Sequence, residues 1–401
     1  MTSYKCNVVD ISGKKRKLTH KAETKSEVID YLKKNNYIII DIEKSAGSID
    51  FNIFGKERIK SKDLAVFCKQ LYAMLKAGVT LVNSLEILRQ QTDNKHFAKI
   101  IGQMYEDLQK GNTFSESLSR HKDAFPDIFI SMAEAGELSG NIDLIMNRLS
   151  NHYEKEYKIE NKVKSAMTYP IILALVSIAV VVFLLTTVMP TFVEMYTSSG
   201  VELPRLTQTL IKVSQTIKQY WHIMLMAILG LTAGVISLNK VPKIKYKEDY
   251  YKLKLPLVKD LLLKISTSRF TRTLSTLMGS GVPLLQALET VSGVTGNAYI
   301  GSKILEARED VRKGLALSQP LRQQGIFPPM VHNMIKIGED SGAIEEILDK
   351  TADFYDEEVD TAITRMTTLL EPAMIVFMGI IIGFIVIAML MPMFDMVKTV
   401  Q

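Results

Sequence analysis

Three stretches of the chain contain no Asp, Glu, Lys or Arg: Ile171–Met189, Trp221–Leu238 and Ala373–Phe394. At about 1.5 Å of rise per residue, helices of this length cross the roughly 30 Å hydrocarbon layer of a bilayer. Elsewhere apolar residues recur at helical spacing. Leu64, Phe67, Cys68, Leu71 and Leu75 fall on one face, and Gly78 stops that helix. Further helices are predicted over Val82–Gln91 and Lys95–Lys110, and Thr113 with Glu116 makes a capping box for a short fourth. Pro126 opens a fifth, expected to end at Gly136, and a long sixth starts near Asn141 and runs toward the first apolar stretch. Six helices with short links predict an α-helical bundle.

The N-terminus reads differently. Tyr4–Ile11 alternates like a strand, Gly13-Lys14 supplies a turn, and a second extended piece covers Lys17–Ala22. Thr24 and Glu27 open a helix to about Lys34, and Tyr37–Ile42 is a β-branched run. Together they predict a small α+β module of order β-β-α-β over residues 1–43, followed by a linker over 44–60. Lys5 and Asp10 interrupt any apolar run of a secretion signal.

The helical pattern then returns. Phe67-x3-Leu71 and Gly78-Val79-x-Leu81-x3-Leu85-Glu86 reappear as Phe270-x3-Leu274 and Gly281-Val282-x-Leu284-x3-Leu288-Glu289, 203 positions later. Phe125-Pro126 pairs with Phe327-Pro328 at 202, as do Tyr153 with Tyr355, Glu156 with Glu358 and Pro170 with Pro372. Each copy also carries Gly-Glu-x-Ser-Gly: Gly136-Glu137-x-Ser139-Gly140 and Gly338-Glu339-x-Ser341-Gly342. One reading is a helix stop at Gly136 and Gly338 with a capped restart near Ser139 and Ser341. The other adds a contact role for Glu137 and Glu339, across the bundle or with a partner.

Cations around the apolar stretches predict orientation. Arg148, Lys155, Lys158, Lys162 and Lys164 precede the first, and eight lysines lie within 239–264 after the second. The segment between those two has only Arg205, Lys212 and Lys218, and the tail only Lys398. Positive flanks stay in the cytoplasm. The expected organisation is a first cytoplasmic six-helix bundle (61–169), a transmembrane helix (170–189), an extracytoplasmic loop (190–220) and a second span (221–238). A second cytoplasmic bundle (239–371), a third span (372–394) and an extracytoplasmic tail (395–401) complete it. The fold class is thus a mostly α membrane protein with two repeated bundles, three transmembrane helices and the small N-terminal module.

Candidate chemistry is sparse. The net charge of +6 is mild and no basic stripe with aromatic support is present, so nucleic acid is not an expected partner. Gly13-Lys14 and Gly55-Lys56 lack the rest of a phosphate-binding loop. The six histidines lack metal-ligand spacing, and no Ser-His-Asp arrangement can be argued. No catalytic, cofactor or metal residue is therefore expected. The acidic clusters Glu345-Glu346-Asp349 and Asp356-Glu357-Glu358-Asp360 read as a solvated helix face or a docking site for a basic partner. Glu371-Pro372 and Pro170 mark the membrane edge, where proline removes a helix hydrogen bond and kinks the helix, and Glu371 reads either as an interfacial carboxylate or as one facing a partner. Gly379-x3-Gly383 lets a second helix approach, within the chain or in a homo-oligomer.

Phe67–Leu88, Phe125–Pro170, Pro190–Thr207 with Leu203-Pro204, Phe270–Val291 and Gly338–Pro392 with Leu370-Glu371-Pro372 together resemble the PilC/GspF family of inner-membrane platform proteins of type IV pilus and type II secretion machines. Lys259 departs from the glycine members often carry there, a local turn difference. The resemblance implies a non-enzymatic platform in the inner membrane that couples a cytoplasmic hexameric assembly or retraction ATPase to insertion or extraction of pilin or pseudopilin subunits. It also implies an inner-membrane alignment complex as partner, and a homo-oligomer is expected. The same role in a secretion or DNA-uptake pseudopilus stays open. A small transporter would want ionisable groups within the spans, whereas these hold only hydroxyls such as Ser177, Thr186 and Thr187.

Overall fold

The computed structural model describes residues 2–9, 15–22, 29, 31, 37–44, 59–198, 204–238 and 241–399. Contacts divide the chain into two compact units, Met1–Arg58 and Ile59–Gln401.

In the first unit, β1 (Thr2–Val9), β2 (Lys15–Ala22) and β3 (Ile38–Lys44) form an antiparallel sheet of order β2-β1-β3. Cys6 lies opposite Leu18 on one side and Ile42 on the other, and the β1–β3 register shifts between Asn7 and Val8. The helix expected from Thr24 to Lys34 lies, apart from residues 29 and 31, outside the described residues, as does the linker from 45 to 58.

The second unit begins with α1 (Ser61–Lys76), α2 (Leu81–Gln91), α3 (Lys95–Gln109), α4 (Phe114–Ser119) and α5 (Asp127–Ser139). Then comes α6 (Ile142–Phe183), which continues through a π-helical turn at Leu184–Val188 into α7 (Met189–Ser198). After α8 (Arg205–Leu238) and α9 (Pro242–Lys252), the six-helix order returns. It comprises α10 (Pro256–Gly279), α11 (Leu284–Val294), α12 (Ala298–Arg312), α13 (Ser318–Gln324), α14 (Pro329–Ser341) and α15 (Ile344–Thr399).

The repeat is structural as well as textual. Gly78 ends α1 at φ 83°, with its N–H donating to Leu75 O and that of Val79 to Met74 O; Gly281, also at φ 83°, ends α10 with the same pair of bonds to Met278 and Leu277. Only glycine takes this left-handed turn without steric cost. Both copies share one continuous core. In the first, Phe67, Phe97, Phe125 and Phe129 interlock, with Phe125 and Phe129 centroids 4.8 Å apart. In the second, Phe270 stacks on Phe327 at 4.4 Å. Burial also pushes the Cys68 thiol well above its ordinary pKa.

Among the described residues, two helices are long and apolar enough to cross a membrane: the one running from Ile142 to Tyr196 and α15. Both turn apolar side chains outward, among them Leu175, Ile178, Phe377 and Ile380. Within residues 190–220, read from sequence only as a loop, 190–198 and 205–220 are helical. Leu210, Ile211 and Ile217 of α8 pack at helical spacing against Leu185, Met189, Ile385 and Met389. Tyr220 has non-helical backbone angles and separates this half of α8 from the exposed apolar half that begins at Trp221.

Candidate functional site

The sequence motif Gly-Glu-x-Ser-Gly forms a joint. The fifth helix does not end at Gly136: α5 runs to Ser139, and Gly140 takes the left-handed turn at φ 72°. The Asn141 N–H donates back to Gly136 O at 2.8 Å, and Ala343 to Gly338 O at 3.0 Å around Gly342. Gly136 and Gly338 serve a different end, close approach of the following helix. A Cβ on Gly136 would stand 2.5 Å from Ile145 Cγ1, and one on Gly338 only 2.8 Å from the Ile344 Cα.

The glutamates cap other helices. Glu137 accepts from the N–H groups of Phe114 (2.7 Å) and Ser115 (3.0 Å) and from the Ser115 hydroxyl (2.6 Å), at the N-terminus of α4. Glu339 accepts from the Leu317 and Ser318 N–H groups and the Ser318 hydroxyl, at the N-terminus of α13. The first turn of a helix leaves N–H groups unpaired, and a carboxylate there also meets the positive end of the dipole. Burial pushes the Glu137 pKa up, but the hydrogen bonds from Ser115 and Phe114 outweigh it and hold it below the ordinary value. The motif thus ties three helices together in each copy.

Beyond the joints, α6 and α15 run side by side toward their apolar halves. Their apolar seam joins Ile159, Val163 and Ala166 to Val359, Ala362, Ile363 and Met366, with Leu261 and Ile265 of α10. A ladder of ion pairs borders it: Arg148–Glu345 at 3.0 Å, Lys155–Asp353 at 2.6 Å, and Lys162–Asp360. The same order continues to the Tyr169 hydroxyl, which donates to Glu371 at 3.2 Å beside Pro170 and Pro372. Seven residues are close to two helical turns, so 148, 155, 162 and 169 present one face. Arg272 of α10 meets Asp349, Asp353 and Asp356 at 2.6, 2.5 and 2.8 Å, and Ser268 donates to Asp356. Burial opposes the Arg272 charge, but Asp356 and Asp353 raise its pKa further. The acidic clusters of the sequence are largely occupied here, within the chain. Among the described residues no three His, Cys, Asp or Glu side chains gather to hold a metal.

At the far end, hydroxyls close gaps in the helical ladder. Pro392 has no N–H to give Ala388 O, and Thr207 donates to it at 2.6 Å, with the Tyr196 hydroxyl on Met389 O at 2.9 Å. In the π turn the Met189 N–H bonds Leu184 O, and the next partner for Leu185 O would be Pro190, which has no N–H. Ser214 donates to Leu185 O instead. Helix α8 thus satisfies both proline-made defects. Sequence reasoning missed these three hydroxyls and Arg272. The prolines inside apolar helices were the available signal, since a freed carbonyl in an apolar setting demands a donor. Around Gly379, and around Gly383, no described atom other than the adjoining residues and backbone of the same helix lies within 4 Å of the position a Cβ would take.

Two copies of a six-helix unit, each leading into a helix able to cross a bilayer, define a duplicated, mostly helical protein. The family described as type II secretion system (T2SS), protein F matches residues 67–190 and again 270–392, and the chain belongs to that family. Among similar proteins, the type IV pilus assembly protein PilC of Thermus thermophilus is 40% identical over 85% of this chain and 84% of its own length. The PilC of Pseudomonas aeruginosa is 33% identical over 85% of this chain and 91% of its own length. Type II secretion system protein F of Vibrio cholerae is 30% identical over 99% of this chain and 98% of its own length.

Proposed function

We propose that the protein is a non-enzymatic platform of the inner membrane that couples a cytoplasmic hexameric ATPase to insertion and extraction of pilin subunits during type IV pilus assembly. The observation that carries this reading is the α6–α15 ladder with its Arg272 centre. With the apolar core and seam that the copies share, it makes them one mechanical body whose long helices leave in parallel, so displacement of either bundle moves both membrane helices together. Pilus over secretion is favoured by the 40% identity to a pilus assembly protein against 30% to a secretion protein F. The near full-length match to the latter supports the same role in a secretion pseudopilus as the second reading.

In this reading the exposed apolar half of α8 is a third span, and both bundles and the N-terminal module are cytoplasmic. Residues 190–220 and the C-terminus are extracytoplasmic. Gly379 and Gly383 offer a face for a second copy or a pilin, and an alignment complex surrounds the platform. Deletion of the gene with complementation tests the function: loss of filaments or of pilus-dependent secretion, restored by the intact chain, is expected. Normal assembly without the protein would overturn it.

A further inference from the structure

Helix α9 has two contrasting faces. One packs on the second six-helix unit around the buried Asp249, although Tyr246 and Tyr250 keep part of their rings exposed. The Tyr246 and Tyr250 rings lie 5.6 and 5.1 Å from Tyr299, and the buried Asp249 carboxylate accepts from the Ala298 N–H at 2.8 Å. Residues 246, 249, 250 and 253 follow helical spacing, so 244, 248 and 251 point the other way. On that outer side Ile244 and Tyr251 are exposed, and Leu255 just beyond the helix extends the strip; Tyr251 is 63% and Leu255 53% exposed.

Lysines border the strip. Lys252 is tied to Glu248 at 2.7 Å, but among the described residues no carboxylate pairs with Lys243, Lys245 or Lys247, all exposed. The helix begins at Pro242, four residues after Leu238 ends the apolar half of α8. Four residues reach at most about 14 Å, so if 221–238 spans the bilayer, the start of α9 lies within that distance of its surface. An outward apolar and tyrosyl strip with lysines free to snorkel suits the boundary between acyl chains and headgroups.

We propose that the outer face of α9 lies in the headgroup layer and binds anionic phospholipid, Ile244, Tyr251 and Leu255 entering the boundary while Lys243, Lys245 and Lys247 meet phosphates. This rests on reading 221–238 as a span. Trp221, the single tryptophan, tests that reading alone, because it should be quenched by brominated lipid in nanodiscs holding the full chain. In a Trp221→Phe background, Tyr251→Trp then reports on α9. The introduced indole should be quenched more by brominated phosphatidylglycerol than by brominated phosphatidylcholine at equal mole fraction. Each lysine near an anionic surface is worth on the order of fivefold in binding, so Lys243→Gln with Lys245→Gln and Lys247→Gln should abolish most of that preference. An unquenched introduced indole beside a quenched Trp221 would overturn the proposal and leave the span reading standing. Equal quenching by both lipids, unchanged by the lysine substitutions, would also overturn it. An unquenched Trp221 would overturn the span, and the lipid site with it.

Discussion

Glu339→Gln keeps the size of the side chain but removes one of its two acceptor oxygens. In the native chain the Leu317 N–H uses Oε1, while the Ser318 N–H and hydroxyl use Oε2. An amide presents one oxygen and turns an NH2 group toward the other N–H, so a donor near the buried Leu317 loses its partner. A hydrogen bond to a charged group is worth about 1.5–3 kcal/mol, so the loss should be about 2 kcal/mol, roughly a thirtyfold rise in local opening of α13. Glu137→Gln should matter less. At α4 the Thr113 hydroxyl also accepts from the Glu116 N–H and Glu116 accepts from the Thr113 N–H at 3.0 Å, whereas no side chain of its own caps α13. Hydrogen–deuterium exchange at Leu317 and Ser318, against Phe114 and Ser115, in the full chain in nanodiscs measures both. Unchanged exchange at Leu317 and Ser318 in Glu339→Gln, or a larger effect from Glu137→Gln, would refute the reasoning.

Four further outcomes are expected. The Glu137 carboxyl is held below its ordinary pKa in the folded chain, so its contribution is complete above the unfolded value of about 4.3 and is lost as pH falls through the lower folded value. Exchange at Phe114 and Ser115 should accordingly rise only in acid below that range, and Glu137→Gln should flatten the profile. Gly338→Val forces a side chain onto the Ile344 backbone and should destabilise the second copy by about 1–3 kcal/mol, read as a lowered thermal midpoint. Arg272→Met should loosen α15 on α10 more than Lys155→Met loosens it on α6, because Arg272 is buried and meets three carboxylates while Lys155 is exposed; exchange along α15 compares them. Thr207→Val leaves Ala388 O buried without a donor and should cost about 1–3 kcal/mol, seen as protease sensitivity within residues 190–220.

Much of this architecture was legible because its signals are local. Gly78 and Gly281 announce their turns, Thr113 and Glu116 announce a capping box, and the uncharged runs announce long apolar helices. The motif was found but its grammar was misread. Two glycines four residues apart can each end a helix, and only the backbone distinguishes Gly140, at φ 72°, from Gly136, which is helical and close-packed. The cap on α4 escaped because Glu137 lies 22 or more residues from the groups it satisfies. The ladder escaped for the same reason at larger scale: Lys155 and Asp353 are separated by 198 residues. A carboxylate-rich helix looks solvated until a basic helix is known to lie beside it.

That ladder bears on how the duplication diverged. Two copies of one ancestral unit would place like surfaces in like positions, and two identical long helices pair as readily with themselves as with each other. Here the copies differ where they meet. The face of α6 offers Arg148, Lys155 and Lys162, whereas α15 offers Glu345, Asp353 and Asp360; the 202-residue equivalents of the three cations are Lys350, Glu357 and Thr364. Pairing α15 with another α15 would oppose carboxylates and pairing α6 with another α6 would oppose cations, so the charges favour the unlike pair and discourage both like ones. Exposed ion pairs contribute about 0–1 kcal/mol each, so stability is the weaker reason to retain them. Specificity is the stronger one. The apolar seam of Ile159, Val163, Val359 and Ile363 would accept several partners at little difference in energy, and the ladder fixes which helix, in which register, occupies it. Charge reversal tests this directly at the rung that Arg272 does not share: Lys162→Asp with Asp360→Lys should restore the order that either change alone disturbs, because the rule lies in the complementarity rather than in either residue.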